Sequence, residues 1–195
     1  VILLVTGLIS AYFFNVKEVK TNDTTRVKRN SVDYISPISV LYLRSLVIEA
    51  DSLTIENEFS EEDNYKQYNA SYYSEGNKIY GLLTVPTGNM PINGFPAIVF
   101  NHGYIPPQEY TSTGYYVAYV DYLARNGFVV FKIDFRGNGN SEGDASGSYF
   151  SSAYTIDAIS AVKSLQKYTA VNTQRIGMCG HSMAGNATLR AMLVT

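Results

Sequence analysis

Apolar and polar positions change rhythm along this chain. Between Leu53 and Gly88, two extended segments, LTIENEF and YKQYNASYYS, lead through the turn residues Ser74-Glu75-Gly76-Asn77 into KIYGLLTVPTG. These stretches are rich in β-branched and aromatic residues, and with the turn they predict an antiparallel start to a sheet. Short apolar runs then alternate with helical ones. FPAIVFNHG reads as a short strand, YVAYVDYLARNG as a helix stopped at Gly127, and FVVFKIDFRG as a second buried strand. SSAYTIDAISAVKSLQKY sets Ile156, Ile159, Val162 and Leu165 along one helix face, and RIGMCG is a third short apolar strand. Upstream, VLYLRSLVIE, from Val40 to Glu49, predicts a short helix. Strands alternating with helices imply βαβ units. The predicted fold is therefore α/β, a mostly parallel sheet with antiparallel N-terminal strands and helices on both faces.

In such sheets ligands gather outside the carboxyl ends of the strands. The three apolar strands end in NHGY, DFRGNGNSEGD and GHSMAG, which places these three segments on one edge. Composition narrows what they could do. A chain of 195 residues that is 46% apolar is long enough for one sizeable core. With 15 basic against 17 acidic residues and no basic stripe, nothing is available to track a phosphate backbone, so nucleic acid is not an expected partner. The single cysteine, Cys179, has no internal disulfide partner, and its apolar surroundings predict a small buried core residue. The two histidines, His102 and His181, belong to no cluster with metal-ligand spacing, so neither metal nor cofactor is expected.

A serine placed between a strand and a helix turns the backbone sharply and forces its neighbours two residues away close together. Gly180 and Ala184 meet that demand around Ser182, and Gly185 lets the following helix approach the sheet. The hydroxyl then projects at a helix N-terminus, where the dipole favours developing negative charge. The plain alternative is that Ser182 is a helix N-cap. DFRGNGNSEGD has its own rival reading as a dinucleotide-binding turn, but Gly137, Gly139 and Gly143 are spaced one residue too long and no helix follows the second glycine.

Taken together and in this order, FNHGY, DFRGNGNSEGD and GHSMAG resemble the α/β-hydrolase fold, nearest to its prolyl-oligopeptidase-like and dienelactone-hydrolase-like serine hydrolases. In that family the His-Gly segment follows the third strand, D-x-R-G-x-G-x-S the fourth and the serine elbow the fifth. The match covers roughly Tyr72 to Leu193 and departs from the commoner elbow in having Ala184, an extra methyl at a tight spot. The resemblance implies that Ser182 is the nucleophile, with the backbone N–H groups of Met183 and Tyr104 as oxyanion donors. It gives Gly103, Gly180 and Ala184 a site-shaping role. His102 would order the oxyanion loop through a backbone hydrogen bond, and His181 would pack the elbow. Asp134 and Arg136 would fix the loop after the fourth strand, the arginine presenting its planar fork to backbone carbonyls or a carboxylate.

The chain opens with VILLVTGLISAYFF, uncharged from Val1 to Phe14 and followed by Lys17 and Lys20. This predicts a membrane anchor or signal segment over residues 1–16, a polar linker over 17–39 and the N-terminal part of a hydrolase domain over 40–195. The anchor would put the domain outside the cytoplasm. A serine hydroxyl needs a base and an orienting acid, which follow the serine in this fold, whereas Met183 to Thr195 contain no Asp, Glu or His. The expectation is a fragment of a longer enzyme, inactive as it stands, whose triad acid and histidine lie beyond Thr195. Its substrate would be a small-molecule ester or a peptide. A non-catalytic hydrolase-fold binding module and an acyltransferase are the competing readings.

Overall fold

The computed structural model describes residues 35–146 and 150–194. The chain runs α1 (Val40–Ser45), β1 (Thr54–Glu61), β2 (Tyr65–Ser74), β3 (Asn77–Pro86), β4 (Phe95–Asn101), α2 (Val117–Arg125), β5 (Val129–Ile133), α3 (Ala153–Gln166), β6 (Val171–Gly180) and α4 (Met183–Met192). The six strands form one sheet in the order β1-β2-β3-β5-β4-β6. The first three form an antiparallel meander, β3 pairs antiparallel with β5, and β4 pairs parallel with both β5 and β6. The predicted α/β architecture, antiparallel at its start and parallel after, is the one found.

Local chemistry explains the elements. The turn between β2 and β3 places Glu75 and Gly76 at φ 47° and 81°, the left-handed pair whose twist matches that of a two-residue hairpin. β1 is exposed along almost its whole length and carries Glu56, Glu58 and Glu61, charges that blunt a sheet edge. β5, Val-Val-Phe-Lys-Ile, is buried at every position, as expected of a central strand covered on both faces. One face packs Val129, Phe131 and Ile133 with Tyr154, Ala158 and Leu165 of α3 and Met183, Ala184 and Ala187 of α4. The other packs Val130 with Leu82, Phe100 and Val120 of α2.

Three sequence expectations change. The helix expected over Val40 to Glu49 ends at Ser45, and Leu46 is extended at φ −80°, ψ 138°. Only Leu43 of this helix is buried, and the Val47-Ile48 pair is β-branched, which works against another turn. In α3 the stripe through Ile156 and Ile159 is buried, but so are Tyr154, Thr155, Asp157, Ala158 and Ser160. The helix lies on the sheet, and Ile156 and Ser160 line a cleft of about 670 Å³ closed on its other side by residues 46–51. The third apolar strand is longer than RIGMCG, and Cys179 is exposed rather than buried. β6 is the last strand of the sheet among the described residues; Ile176 and Met178 pack on the core, while Cys179, between Met178 and Gly180, falls on the other face of the strand.

Pro37 and Ile38, within the predicted linker, accept hydrogen bonds from Ser152 and Arg190 and so belong to the domain's surface. The Val1 to Phe14 run lies outside the described residues. Among those described, no helix is long and apolar enough to cross a membrane.

Candidate active site

Strand register brings the three motif-bearing ends together. Asn101, the last residue of β4, pairs with Ile133 of β5 on one side and Gly180 of β6 on the other. The chain leaves β4 towards α2 on one face of the sheet and leaves β6 towards α4 on the opposite face. Adjacent strands whose connections diverge in this way open a crevice at their carboxyl ends. His102, Gly103 and Tyr104 form one wall and His181, Ser182 and Met183 the other. Their bases are tied: His181 N–H donates to the Asn101 carbonyl at 3.3 Å, and the Asn101 amide donates to Thr188 Oγ1 of α4 at 3.0 Å.

Ser182 stands at φ 53°, ψ −118°, exposed, at the position preceding α4, and its side chain makes no capping bond to the helix. A backbone held in so sparsely populated a region costs on the order of 1–3 kcal/mol. An N-cap adopts extended geometry and its side-chain oxygen accepts a helix N–H; Ser182 does neither, and only its backbone carbonyl takes a helix N–H, that of Gly185 at 2.9 Å. Met183, first in the helix, has no residue four positions back within it to receive its N–H. The tightness of the turn falls on Gly180. A Cβ there would lie 2.5 Å from the Ala184 carbonyl oxygen and collide with Thr188 Oγ1. The Ala184 side chain joins the main core, while its carbonyl faces the turn.

On the opposite wall His102 is fully buried, stacked on Tyr110 at 4.3 Å between ring centroids and 5.1 Å from Phe135. Its Nδ1–H donates to the Gly103 carbonyl at 2.8 Å. Burial pulls its pKa from 6.5 to about 4, against the backbone hydrogen bond and with the Lys132 charge. The ring is neutral near pH 7 and braces the loop. Gly103 has no room for a side chain, since a Cβ would sit 2.5 Å from the Tyr116 hydroxyl and 3.0 Å from His181 Nδ1. Tyr104 is exposed. His181 is exposed too; its ring lies 5.5 Å from that of Tyr116, centroid to centroid, and its Nδ1 meets the Tyr116 hydroxyl at 2.9 Å.

The β5 end supports the first wall from below. Asp134 is buried and accepts hydrogen bonds from the hydroxyls of Tyr110 and Ser112. Lys132, also fully buried, donates to Tyr110 at 2.8 Å and lies 3.8 Å from Asp134. Burial pushes the Asp134 carboxyl up and the Lys132 ammonium down, opposed by their mutual attraction. This network pins the Tyr110–Ser112 part of the loop after β4. Arg136 spends its fork on Asp157 of α3, at 2.7 and 3.1 Å, and reaches Glu75 of the hairpin at 2.9 Å. Gly137, at φ 73°, abuts Asp144 and Ala145 too closely for a side chain.

The sequence reading missed Tyr116, Tyr110 and Lys132. Lysine inside an apolar strand was the one available signal; the tyrosines lie among many and carried none. The 670 Å³ cleft beside α3 includes none of the residues at the β4 and β6 ends.

The family described as serine aminopeptidase, S33, matches residues 95–194. The chain belongs to this family. The matched segment starts at β4 and contains both walls of the crevice and the elbow. No curated protein matches this chain. Among solved structures, an acetyl xylan esterase from Paenibacillus sp. R4 is similar at 21% identity and TM-score 0.58, over 78% of this chain and 52% of that one. A putative acetyl xylan esterase from Bacteroides fragilis is similar at 11% identity and TM-score 0.60, over 80% and 48%. A Pyrococcus furiosus esterase is similar at 20% identity and TM-score 0.52, over 73% and 50%. At these identities the likeness is one of fold, and it is the α/β-hydrolase fold. The chain spans about half the length of these structures.

Proposed function

We propose that the protein is a serine hydrolase that cleaves an ester or peptide bond through an acyl-enzyme on Ser182. The observation that carries this reading is the Ser182 backbone, strained at φ 53° and ψ −118° and carrying a hydroxyl that caps nothing, because a helix cap or a binding surface has no use for that strain. In the reaction, Ser182 Oγ attacks the substrate carbonyl carbon as its proton passes to a base. The carbonyl π electrons move onto oxygen, and the backbone N–H groups of Met183 and Tyr104 receive that oxyanion. Collapse expels the alcohol or amine, which takes the proton, and water then releases the acid by the same steps. Removing one such donor in other serine hydrolases costs about 3–4 kcal/mol of barrier.

Neither histidine of the chain suits the base. His102 is enclosed with its Nδ1 on Gly103, and His181 gives its Nδ1 to Tyr116. On this reading the base and its acid come from outside these 195 residues, and the protein is attached to a membrane through residues 1–16 with its hydrolase domain outside the cytoplasm. The motifs suggest the prolyl-oligopeptidase-like or dienelactone-hydrolase-like branch. The fold relatives, named as esterases, make acetyl esters the first substrates to try and aminoacyl amides the second.

The test is covalent labelling of the full-length protein by a fluorophosphonate. Ser182 is the residue expected to be modified, and Ser182→Ala should abolish both labelling and p-nitrophenyl acetate hydrolysis. A folded full-length protein that neither labels nor turns over would leave the binding-module reading in its place.

A further inference from the structure

Tyr116 adopts φ 60°, ψ 13°, a left-handed backbone rare for an aromatic residue, at the position preceding α2, where it supplies no side-chain cap. That twist turns its ring back onto Phe100 of β4, 5.6 Å away, and delivers its hydroxyl into the crevice. There the phenol oxygen accepts the Gly103 N–H at 3.2 Å and contacts His181 Nδ1 at 2.9 Å. With the oxygen engaged as acceptor, the phenol proton is available to His181 Nδ1, which accepts it in the tautomer that carries its hydrogen on Nε2.

The two residues joined in this way immediately precede the two walls' working segments. Gly103 is followed by Tyr104, and His181 by Ser182 and Met183. The Asn101 bonds to His181 and Thr188 fasten the walls at their base, while the Tyr116 hydroxyl fastens them nearer their tips. We infer that Tyr116 is a positioning residue, setting the separation between the Tyr104 and Met183 N–H groups by bridging Gly103 to His181. This rests on the serine hydrolase reading. Preorganised donors are effective only where they already stand at the oxyanion's position, so a slackened bridge lowers turnover more than substrate binding.

The experiment uses the full-length protein and p-nitrophenyl acetate. Tyr116→Phe keeps the ring against Phe100 and removes only the hydroxyl. The expected result is a kcat about tenfold lower, a fraction of the loss for deleting a donor outright, with KM within about twofold and Tm nearly unchanged. His181→Ala should lose a similar factor, His181→Asn, which keeps an acceptor near Nδ1, should lose less, and Tyr116→Phe/His181→Ala should lose no more than the larger single loss, since both break one link. A Tyr116→Phe enzyme with wild-type kcat overturns the inference, as does a kcat loss that tracks a large fall in Tm, or factors that multiply in the double variant. Those failures leave the hydrolase reading intact provided Ser182→Ala is dead. A folded wild-type protein that neither labels nor turns over removes both.

Discussion

At the scale of single residues, burial and backbone strain decide more than residue type. His102 and His181 are both histidines beside a glycine at a strand end, yet one is sealed and the other open. For His102 the folded pKa, about 4, lies below the ordinary 6.5. Its neutral form therefore contributes stability that is fully present above pH 6.5 and is lost as pH falls through 4. Between about pH 7.5 and about pH 4.5 this one group should account for about 2–3 kcal/mol of lost stability. Denaturant titrations at the two pH values should show that loss in the wild type, and His102→Asn, whose amide can still donate to the Gly103 carbonyl, should lose correspondingly less. An identical acid response in both proteins would mean that His102 is hydrated. The need for a small residue at Gly180 was legible from spacing alone. That the Ala184 side chain joins the core was not, because only the packing of α4 on the sheet decides it. Tyr116 was illegible for a similar reason: its role depends on a backbone angle that no side-chain pattern announces.

At the scale of elements, Arg136 is the joint. It binds the loop after β5 to α3 through Asp157 and to the β2–β3 hairpin through Glu75. Asp157 is fully buried and also accepts the Arg136 backbone N–H. Arg136→Ala should cost about 3 kcal/mol or more, because it leaves a buried carboxylate unpaired. Pairing it with Asp157→Asn should recover part of that loss in thermal melts, which a simple loss of packing would not allow. The sequence showed the fork and the loop but not the partner, Asp157, twenty-one residues downstream in α3. Strand and helix positions were otherwise legible from periodicity, since β5 and α2 obey their local patterns. Exposure on β6 was not, because an apolar run fixes which residues could be buried, and only neighbouring strands and helices fix which are.

At the scale of the molecule, the crevice follows from strand order. β4 sits between β5 and β6, and its connection and that of β6 depart to opposite faces of the sheet, so the two loops that approach each other there inherit the site. The same order has a temporal consequence. β1, β2 and β3 are neighbours in sequence as well as in space and close through short turns, whereas β6 reaches β4 only after the chain has built α2, β5 and α3. Closing so long a loop carries an entropic cost that local contacts do not share. The meander should assemble early and the β4–β6 ladder late, and pulse-labelled hydrogen exchange during refolding should protect β2 and β3 amides before those of β6. As the polypeptide emerges in synthesis, Ser182 would thus be set into its strained turn only after the strands that precede β6 had formed, and a chain that had not yet reached β6 would carry no prematurely armed hydroxyl.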